Sequence, residues 1–575
     1  MGARGVLALA MALALADTSI VTLALPQVES DLHTGVTGVA AVLFVYAAVL
    51  AVVLALASRT AGEGTAGRWA PGGFGLLAVA SLACAAADRL DVLLAGRVLQ
   101  AVGAAAALIG GFALIDGAGR GRRAWKAASI LGVAVGPALG GALTQLFDWR
   151  AIFIAQAPVA LAGAWVTLRS PPVTTAPPRE PLRRPRASRT RRAALTSRAA
   201  LALVTAALSA VLFLVILLVI AGWNVSPLSA AAAVTPLPLA AALAWAIRGP
   251  ARTRAVAGCA LIGAGVLALA WIPQAHLAWI VPPELIAGLG MGCALGALSG
   301  ELLPERTPRQ AAGLLSVRHA AIALVLVVLA PIIASQLDAA SHTAELQGVA
   351  LLLDSPLPPQ SKLTLVPELL RIADARQPRA SLRAGLADQR HRFTGADRVA
   401  FDQLASQADE TVLAAVGRSF HLAFVISGVL AFLASALLLV ERAPRARSRT
   451  ERGRRDGGDR AGARRLARAV IPIASLCIAA PVAYASLDHE LAPAPVTLGN
   501  PCAGGPTPRA AGIGGLAEDG ALALLDVAAC RLHTSREELV LALTDPSEAA
   551  RFAVQHPEFD PTTLAKLLVG LLAKS

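Results

Sequence analysis

Long apolar stretches recur along this chain, and they constrain its fold more than any other feature. A helix of about 20 apolar residues crosses the roughly 30 Å hydrocarbon core of a membrane. Hydrophobic residues make up 56% of the chain and charged residues only 15%, which predicts an all-α membrane protein with many spans. The thirteen predicted spans are 5–26, 36–57, 70–87, 91–115, 127–147, 151–168, 199–221, 229–247, 255–273, 278–299, 312–336, 419–440 and 469–487.

The basic residues alternate from one side of the predicted membrane to the other. With a cytoplasmic amino terminus, the inner connecting segments hold 31 of the 51 Lys and Arg residues, while the short outer loops hold only Arg89 and Arg150. This is the distribution that the positive-inside rule describes. The formal net charge of +14 is therefore explained by topology, and we predict no nucleic-acid partner.

The same topology divides the chain into six segments. We predict a six-helix half, a Pro- and Arg-rich cytoplasmic linker, a second six-helix half, another basic cytoplasmic linker, an extra thirteenth helix and a small helical domain outside the cytoplasm. A further extracytoplasmic loop, 337–418, interrupts the second half. The six segments are 1–168, 169–198, 199–440, 441–468, 469–487 and 488–575.

The cysteines indicate packing in the membrane and a disulfide outside it. Four of the six lie in apolar stretches, where Cys is a small buried side chain, and no Cys or His spacing is typical of a metal site. Cys502 and Cys530 are the two in the polar tail. If the tail lies outside the cytoplasm, a disulfide between them is expected.

The first apolar stretch has two interpretations. VLALAMALALA followed by Asp17 resembles an export signal with a small-residue cleavage site. However, the apolar run continues past Asp17 for about 22 residues in all, and cleavage would place nine arginines of the first linker outside. We therefore expect a span that stays in the protein.

Asp17 within that span is expected to be functional. A charged side chain near the membrane centre costs at least about 2.5 kcal/mol and usually faces a cavity or a partner. A carboxylate there can take up and release a proton as its access to water changes. The alternative is a structural acid paired with an arginine.

Here the residues begin to resemble a known family. Asp17-Thr18-Ser19-Ile20-Val21 with Ala24-Leu25-Pro26 resembles the first span of the major facilitator superfamily, in particular the EmrB/QacA-type drug:proton antiporters; Thr22 stands where the family usually has Asn. In AGRVLQAVGAA of the fourth span, Arg97 and Gln100 match a motif whose arginine takes part in proton movement. Tyr46 stands where this group often has a tyrosine. The resemblance implies that Arg97 pairs with Asp17, and that Tyr46 and Gln100 line the substrate cavity.

The fifth span matches the group most closely. Its sequence ILGVAVGPALGGALTQLFDWR resembles the antiporter motif, whose glycines allow close packing and whose proline bends the helix to shape the outer closure. The motif residues are Gly132, Gly136, Pro137, Gly140 and Gly141.

The second half resembles the group more faintly. Arg318 stands where the family often has arginine, and we place it in the substrate cavity, while the neighbouring His319 has either a cavity role or a structural one. Glu284 either lines the cavity or lies at the lipid headgroups.

One departure concerns gating. The family usually carries an Asp-Arg pair between spans two and three, but this chain reads ALASRTAGEGTAGRW: Arg59 and Arg68 remain, and Ser58 stands where the aspartate is usual. Either Glu63 substitutes for that aspartate or the cytoplasmic gate works differently.

These observations together predict a multi-pass transporter of the plasma membrane. The resemblance implies proton-coupled export of amphipathic small molecules by alternating access between two six-helix halves. We expect no catalytic residues, metal or cofactor, and GEGTAG lacks the Lys-Ser/Thr of a phosphate-binding loop. Two alternatives remain: uptake instead of export, and a non-transporting scaffold or sensor whose outer loop and tail bind a protein partner.

Overall fold

A computed structural model shows the arrangement of the chain. It describes residues 2–62, 65–115, 121–170, 187–244, 246–303, 305, 307–358, 361–362, 365–366, 377–440, 456–493, 496–503, 513–544 and 546–557. Among these residues the regular secondary structure is helical throughout, as the apolar stretches predict. Contacts divide the chain into two compact units, which are described separately.

The first unit is the apolar bundle, residues 1–220, 225–334 and 420–491. Its first half contains α1 (Ala3–Thr22), α2 (Leu25–Asp31), α3 (Val36–Thr60), α4 (Trp69–Ala85), α5 (Leu90–Ile115), α6 (Gly121–Leu146) and α7 (Arg150–Leu168). The following helices are α8 (Ala187–Ile216), α9 (Pro227–Val234), α10 (Pro236–Ala244), α11 (Ala251–Ala268), α12 (Val281–Ala297) and α13 (Pro308–Leu353).

Every predicted span coincides with a helix. Ten helical stretches of the described residues are long and apolar enough to cross a membrane, and the spans predicted at 70–87, 127–147 and 469–487 coincide with α4, α6 and α16 (Asp456–Leu491). The span predicted at 229–247 is divided between α9 and α10, because Pro236 has no N–H to continue the helical hydrogen bonds.

Small residues set the spacing of the helices in this bundle. A Cβ added to Gly103 in α5 would lie 2.6 Å from the backbone nitrogen of Leu77 in α4. Only glycine allows this approach, and such close contacts are how membrane helices gain packing energy.

The second unit combines the predicted outer loop with the predicted tail. It comprises residues 221–224, 335–419 and 492–575, so the end of α13 and the beginning of α15 (Gly395–Val440) belong to it. Its other helices are α14 (Pro378–Gln389), α17 (Ile513–Leu532), α18 (Arg536–Thr544) and α19 (Pro546–Gln555). Within the loop, the pattern of LVPELLRIADA (365–375) also predicts a helix, but this segment lies largely outside the described residues.

Loop and tail share one core in this unit. Val349 from the loop packs with Leu522, Leu525 and Leu539 from the tail, and Lys362 Nζ forms a buried ion pair with Glu518 Oε1 at 2.5 Å. Cys502 and Cys530 form a disulfide, as the sequence predicts. The sequence treats loop and tail as separate pieces, whereas the structure makes them parts of one unit.

Candidate functional site

Four polar side chains from four helices meet inside the first half of the bundle. Asp17 lies on α1, Arg97 and Gln100 on α5, and Gln156 on α7. Each is at most 4% exposed, although the surrounding residues are apolar. These four side chains are called the polar ring below.

The contacts of the polar ring form a closed cycle. Arg97 Nη1 lies 2.7 Å from Asp17 Oδ2 and donates a 2.7 Å hydrogen bond to Gln100 Oε1. Gln100 Nε2 donates to Gln156 Oε1 at 2.7 Å, and Gln156 Nε2 donates to Asp17 Oδ1 at 2.9 Å. Both oxygens of Asp17 are thus engaged by other members of the ring.

Arg97 has further contacts outside the ring. Its Nε donates to the carbonyl oxygen of Val42 at 3.3 Å, and its guanidinium carbon lies 4.1 Å from the centre of the Tyr46 ring, within the range of a cation–π interaction. The Tyr46 hydroxyl in turn donates to the carbonyl oxygen of Ala14 at 3.3 Å. Arg97 Nη2 is buried without a hydrogen-bond partner among the described residues.

Gln100 also forms a hydrogen bond with a residue of α4. Its Nε2 donates to Ser81 Oγ at 3.0 Å, and the Ser81 hydroxyl donates to the carbonyl oxygen of Leu77. The polar ring therefore links α1, α4, α5 and α7, and tilting any one of these helices would strain its contacts.

Arg97 supplies the counter-charge for the buried carboxyl group of Asp17. Two charges removed from water cost several kcal/mol each, and their mutual attraction offsets this cost only when the geometry is good and the remaining polar atoms are hydrogen-bonded. A proton added to Asp17 would cancel the attraction and leave Arg97 without its counter-charge.

A cavity lies beside the polar ring, on the other face of α1. Thr18, Ser19 and Thr22 line it, directly after Asp17 in the sequence. Its empty space amounts to about 1170 Å³, counting the part open to the outside. From the second half of the bundle, Glu284, Arg318 and His319 line the same cavity.

The structure places the predicted cavity residues in two different surroundings. Glu284 and Arg318 line the cavity. Gln100 belongs to the polar ring and Tyr46 packs on Arg97; neither is among the lining residues of this cavity.

The glycines of the fifth-span motif lie at close helix contacts. A Cβ on Gly136 would lie 2.0 Å from Ser19 Oγ, and one on Gly140 would lie 2.3 Å from the carbonyl oxygen of Ile20, so α6 packs directly on α1. A Cβ on Gly141 would lie 2.8 Å from the carbonyl oxygen of Pro227 at the start of α9. The motif thus contacts both halves.

Two other motif residues complete this description. Pro137 lines the cavity. Gly132 lies within α6, but its surroundings fall outside the described residues.

Contacts near the predicted cytoplasmic ends of the helices involve residues other than the predicted ones. Arg59 and Arg68 are exposed and form no hydrogen bond or ion pair with any residue that the structure describes, and Glu63 lies outside the described residues. Instead, Arg309 Nε at the start of α13 donates to the carbonyl oxygen of Ala61 at 2.9 Å.

Ala61 is the residue that caps the carboxyl end of α3, where the helix dipole is negative and cations are stabilising. Arg309 therefore joins the second half to the first through a helix end. Ser316 Oγ on α13 also donates to the carbonyl oxygen of Ala51 at 2.8 Å, and Trp125 Nε1 donates to Glu305 Oε2 at 2.5 Å.

Sequence reasoning missed several of these residues. Gln156 interrupts the apolar run IFIAQAPVALAG and Ser81 interrupts another, so a search for polar residues within spans would have found them. Arg309 gives no such signal, because it lies in a basic connecting segment among other arginines.

Comparison with known proteins decides the family. The sequence model of the family described as Major Facilitator Superfamily matches residues 7–335, which is more than half of the chain. The chain belongs to the major facilitator superfamily. The family predicted from the residues around Asp17, Arg97 and the fifth-span motif is therefore confirmed.

Curated relatives are similar over a shorter stretch. This facilitator is 31% identical over 159 residues to the multidrug resistance protein Stp of Mycobacterium tuberculosis, covering 26% of this chain and 30% of that protein. It is 30% identical over 170 residues to the methylenomycin A resistance protein of Bacillus subtilis, covering 28% and 35%. The chain thus matches about a third of the length of these relatives, which agree with the drug-exporter group predicted from the sequence.

A solved structure shares the fold. The bacterial homologue of the human lysosomal transporter Spinster, inward-facing and unoccupied, aligns with a TM-score of 0.51 at 18% identity, covering 77% of this chain and 98% of that one. This similarity supports the all-helical facilitator fold predicted from the sequence.

Proposed function

We propose that this facilitator exports amphipathic small molecules in exchange for protons, with Asp17 as the proton-carrying residue and Arg97 as the residue that controls it. The observation that carries the proposal is the buried contact of 2.7 Å between Asp17 and Arg97, on the same helix turn as cavity residues Thr18 and Ser19. No membrane-spanning acid is kept so completely enclosed without an energetic cost.

The position of Asp17 explains how proton and substrate would be coupled. Neighbouring residues of α1 face the polar ring and the cavity, so a molecule that pushes on Thr18 or Ser19 also moves Asp17 relative to Arg97. Weakening the ion pair raises the tendency of Asp17 to take up a proton. The same movement of α1 then links proton uptake by Asp17 to substrate release from the cavity.

Alternating access needs a closure that can open at each end of the bundle. Gly141 of α6 packs against the start of α9, and Arg309 joins α13 to the end of α3. We propose that Arg309 takes over part of the gating role for which the family uses an aspartate, with the polarity reversed: a cation on the second half caps a helix of the first half.

The predicted orientation receives support from the second unit. Loop and tail pack together there, so they lie on one side of the membrane. Since α15 leads away from the loop and the chain returns to the tail through α16, we propose that α16 crosses the membrane. This supports the thirteenth span and, with the positive-inside distribution, an extracytoplasmic second unit.

Transport driven by a pH gradient in proteoliposomes tests the proposal. Asp17→Asn should abolish gradient-driven movement of a lipophilic substrate, whereas Asp91→Asn, the same change at an exposed carboxylate paired with Arg89, should leave it intact. Equal transport by both variants would contradict the role of Asp17.

A second candidate function is a scaffold or sensor that acts through the second unit. Its own core and disulfide favour this reading, because they form a folded surface suited to a protein partner. Absence of transport with any lipophilic compound, together with an intact protein, would favour it.

A further inference from the structure

Two ionisable side chains on the cavity wall lack the partners that such groups normally have. They are Glu284 on α12 and Arg318 on α13. A bound ligand can supply the missing counter-charge and hydrogen bonds, so these two groups indicate what kind of molecule fits the cavity.

Glu284 is 1% exposed. The backbone of Leu237, at the start of α10, interacts with its carboxyl group. Its Oε2 is buried without a hydrogen-bond partner among the described residues, and no Lys, Arg or His of the described chain forms a salt bridge with it.

Arg318 is also without a direct partner. Its Nε is buried with no hydrogen bond, and it forms no ion pair with a described residue. Glu305 attracts Arg318 at longer range, but Glu305 does not line the cavity and its Oε2 accepts a hydrogen bond from Trp125. The guanidinium of Arg318 therefore has donors to offer on the cavity side.

His319 adds an acceptor beside Arg318. The ring Nδ1 lies 2.9 Å from the carbonyl oxygen of Leu315, and a carbonyl only accepts, so Nδ1 carries the hydrogen. In the neutral ring Nε2 is then an acceptor. Protonated, His319 would add a second positive charge.

The summed charge of these lining residues is never negative. Arg318 keeps its charge under all conditions, whereas Glu284 is either −1 or neutral and His319 is either neutral or +1. The neighbouring Asp17 and Arg97 cancel each other in their ion pair. A cation in the cavity would therefore meet at most one negative charge and one or two positive charges, while an anion always meets the positive charge of Arg318.

Arginine also provides the geometry for a planar oxyanion. Its Nε and one Nη donate in parallel to the two oxygens of a carboxylate. Apolar residues make up much of the remaining wall, among them Leu15, Leu43 and Val211, and they would contact the apolar part of the same molecule.

We propose, resting on the transport function proposed above, that the cavity binds amphipathic organic anions and that Arg318 holds their carboxylate or similar oxyanion. Arg318 is then the residue that determines substrate class, and cations are disfavoured because the wall offers them no net negative charge.

Equilibrium binding to the purified full-length protein in detergent tests this inference, without any gradient. The probes share one apolar group and differ in charge: naphthaleneacetate, naphthylethanol and naphthylethylammonium, each corrected for binding to detergent alone. We expect the anion to bind about tenfold or more tightly than the other two, the factor expected from one charge-assisted hydrogen bond.

Substitutions at the two residues sharpen the test. Arg318→Gln should lower naphthaleneacetate binding to the level of naphthylethanol binding, and thermal unfolding of the variant in detergent shows whether it is folded. Arg318→Lys should retain part of the preference, and Glu284→Gln should retain all of it.

Two results would overturn the inference. One is tighter binding of the ammonium than of the acetate; the other is an unchanged anion preference in Arg318→Gln. Tightest binding of the zwitterion naphthylalanine, lost in Glu284→Gln, would replace the anion with a zwitterion and would count against it as well. Since these are binding measurements, they fail independently of proteoliposome transport, whose absence would overturn the exporter proposal alone.

Discussion

Two sets of acid and arginine lie in the same helical bundle, and they are built in opposite ways. In the first half, Asp17 and Arg97 touch at 2.7 Å and share hydrogen bonds with Gln100 and Gln156. In the second half, neither Glu284 nor Arg318 forms an ion pair with a described residue; unpartnered buried polar atoms occur in both sets, but only Asp17 and Arg97 have a counter-charge in contact. A closed set of contacts can keep a charge in an apolar interior, whereas an open one is available to a ligand, so the comparison separates proton handling from substrate binding.

Removing one member of the closed set should have the largest effect on stability. Arg97→Gln leaves Asp17 as an unpaired buried charge, and breaking a buried pair in this way costs about 3–5 kcal/mol. Arg89→Gln, which opens an exposed pair with Asp91, should change stability by less than about 1 kcal/mol. Thermal unfolding in detergent, followed by tryptophan fluorescence, compares the two.

A double variant tests whether the cost comes from the unpaired charge. Asp17→Asn combined with Arg97→Gln should be more stable than Arg97→Gln alone, because no charge is then left without its partner. A double variant less stable than either single one would show that the side chains contribute mainly through packing.

The next effect concerns the hydrogen bonds of the ring. Gln156→Leu removes the donor to Asp17 and the acceptor for Gln100, which should cost about 1–3 kcal/mol. The same thermal unfolding measurement determines this cost. An unchanged unfolding temperature would show that the ring hydrogen bonds of Gln156 do not stabilise the protein.

The second unit contains an ion pair that is partly exposed to water, between Asp409 and the two arginines Arg379 and Arg383. Burial raises the pKa of Asp409, but hydrogen bonds from Arg379 and Arg383 lower it by more, so its pKa lies below the usual 3.8. The ionised Asp409 carboxylate therefore stabilises the folded state fully at pH values above its unfolded-state pKa. This stabilisation is lost as the pH falls through the folded-state pKa. Since Arg383 is largely exposed, we expect about 1 kcal/mol at most.

Asp409→Asn checks this sign. Hydrogen exchange of the peptides that contain α14 and the start of α15 should increase below about pH 4 in the unaltered protein. The variant should exchange faster at neutral pH and show a smaller further increase on acidification. An identical acid response in both proteins would rule out this carboxylate as its source.

The smallest effect is expected where no partner is lost. Glu284→Gln and Arg318→Gln remove charges that have no counter-charge beside them, so each should change stability by less than about 1 kcal/mol or increase it. A loss as large as that of Arg97→Gln would show that the cavity pair is structural after all. The same unfolding measurement decides this.

The sequence was sufficient to predict those site residues that are charged although they lie within apolar helices. Asp17 and Arg97 attract attention because charges are costly within apolar helices, and their pairing follows from the need for a counter-charge. The helices at the positions of the predicted spans follow equally from length and apolarity, and ten of the described helical stretches are long and apolar enough to cross a membrane. Tyr46 and Gln100 show the limit: the pattern marks them as functional but does not say whether they face a cavity or a neighbouring arginine.

Long-range packing could not be predicted in this way. The contact of Val349 with Leu522 and Leu525 joins residues far apart in the chain, and neither segment carries a local pattern that names its partner. Arg309 on the carbonyl oxygen of Ala61 is of the same kind, since a backbone acceptor has no sequence signature at all.

One measurement tests most directly whether Asp17 handles the proton and Arg318 binds the substrate. Proton release and naphthaleneacetate binding are recorded on the same purified samples of the unaltered protein, Asp17→Asn and Arg318→Gln. The account predicts that Asp17→Asn abolishes proton release but still binds the anion, and that Arg318→Gln loses anion binding. Proton release that persists in Asp17→Asn, or anion binding that disappears with Asp17 and persists without Arg318, would contradict it.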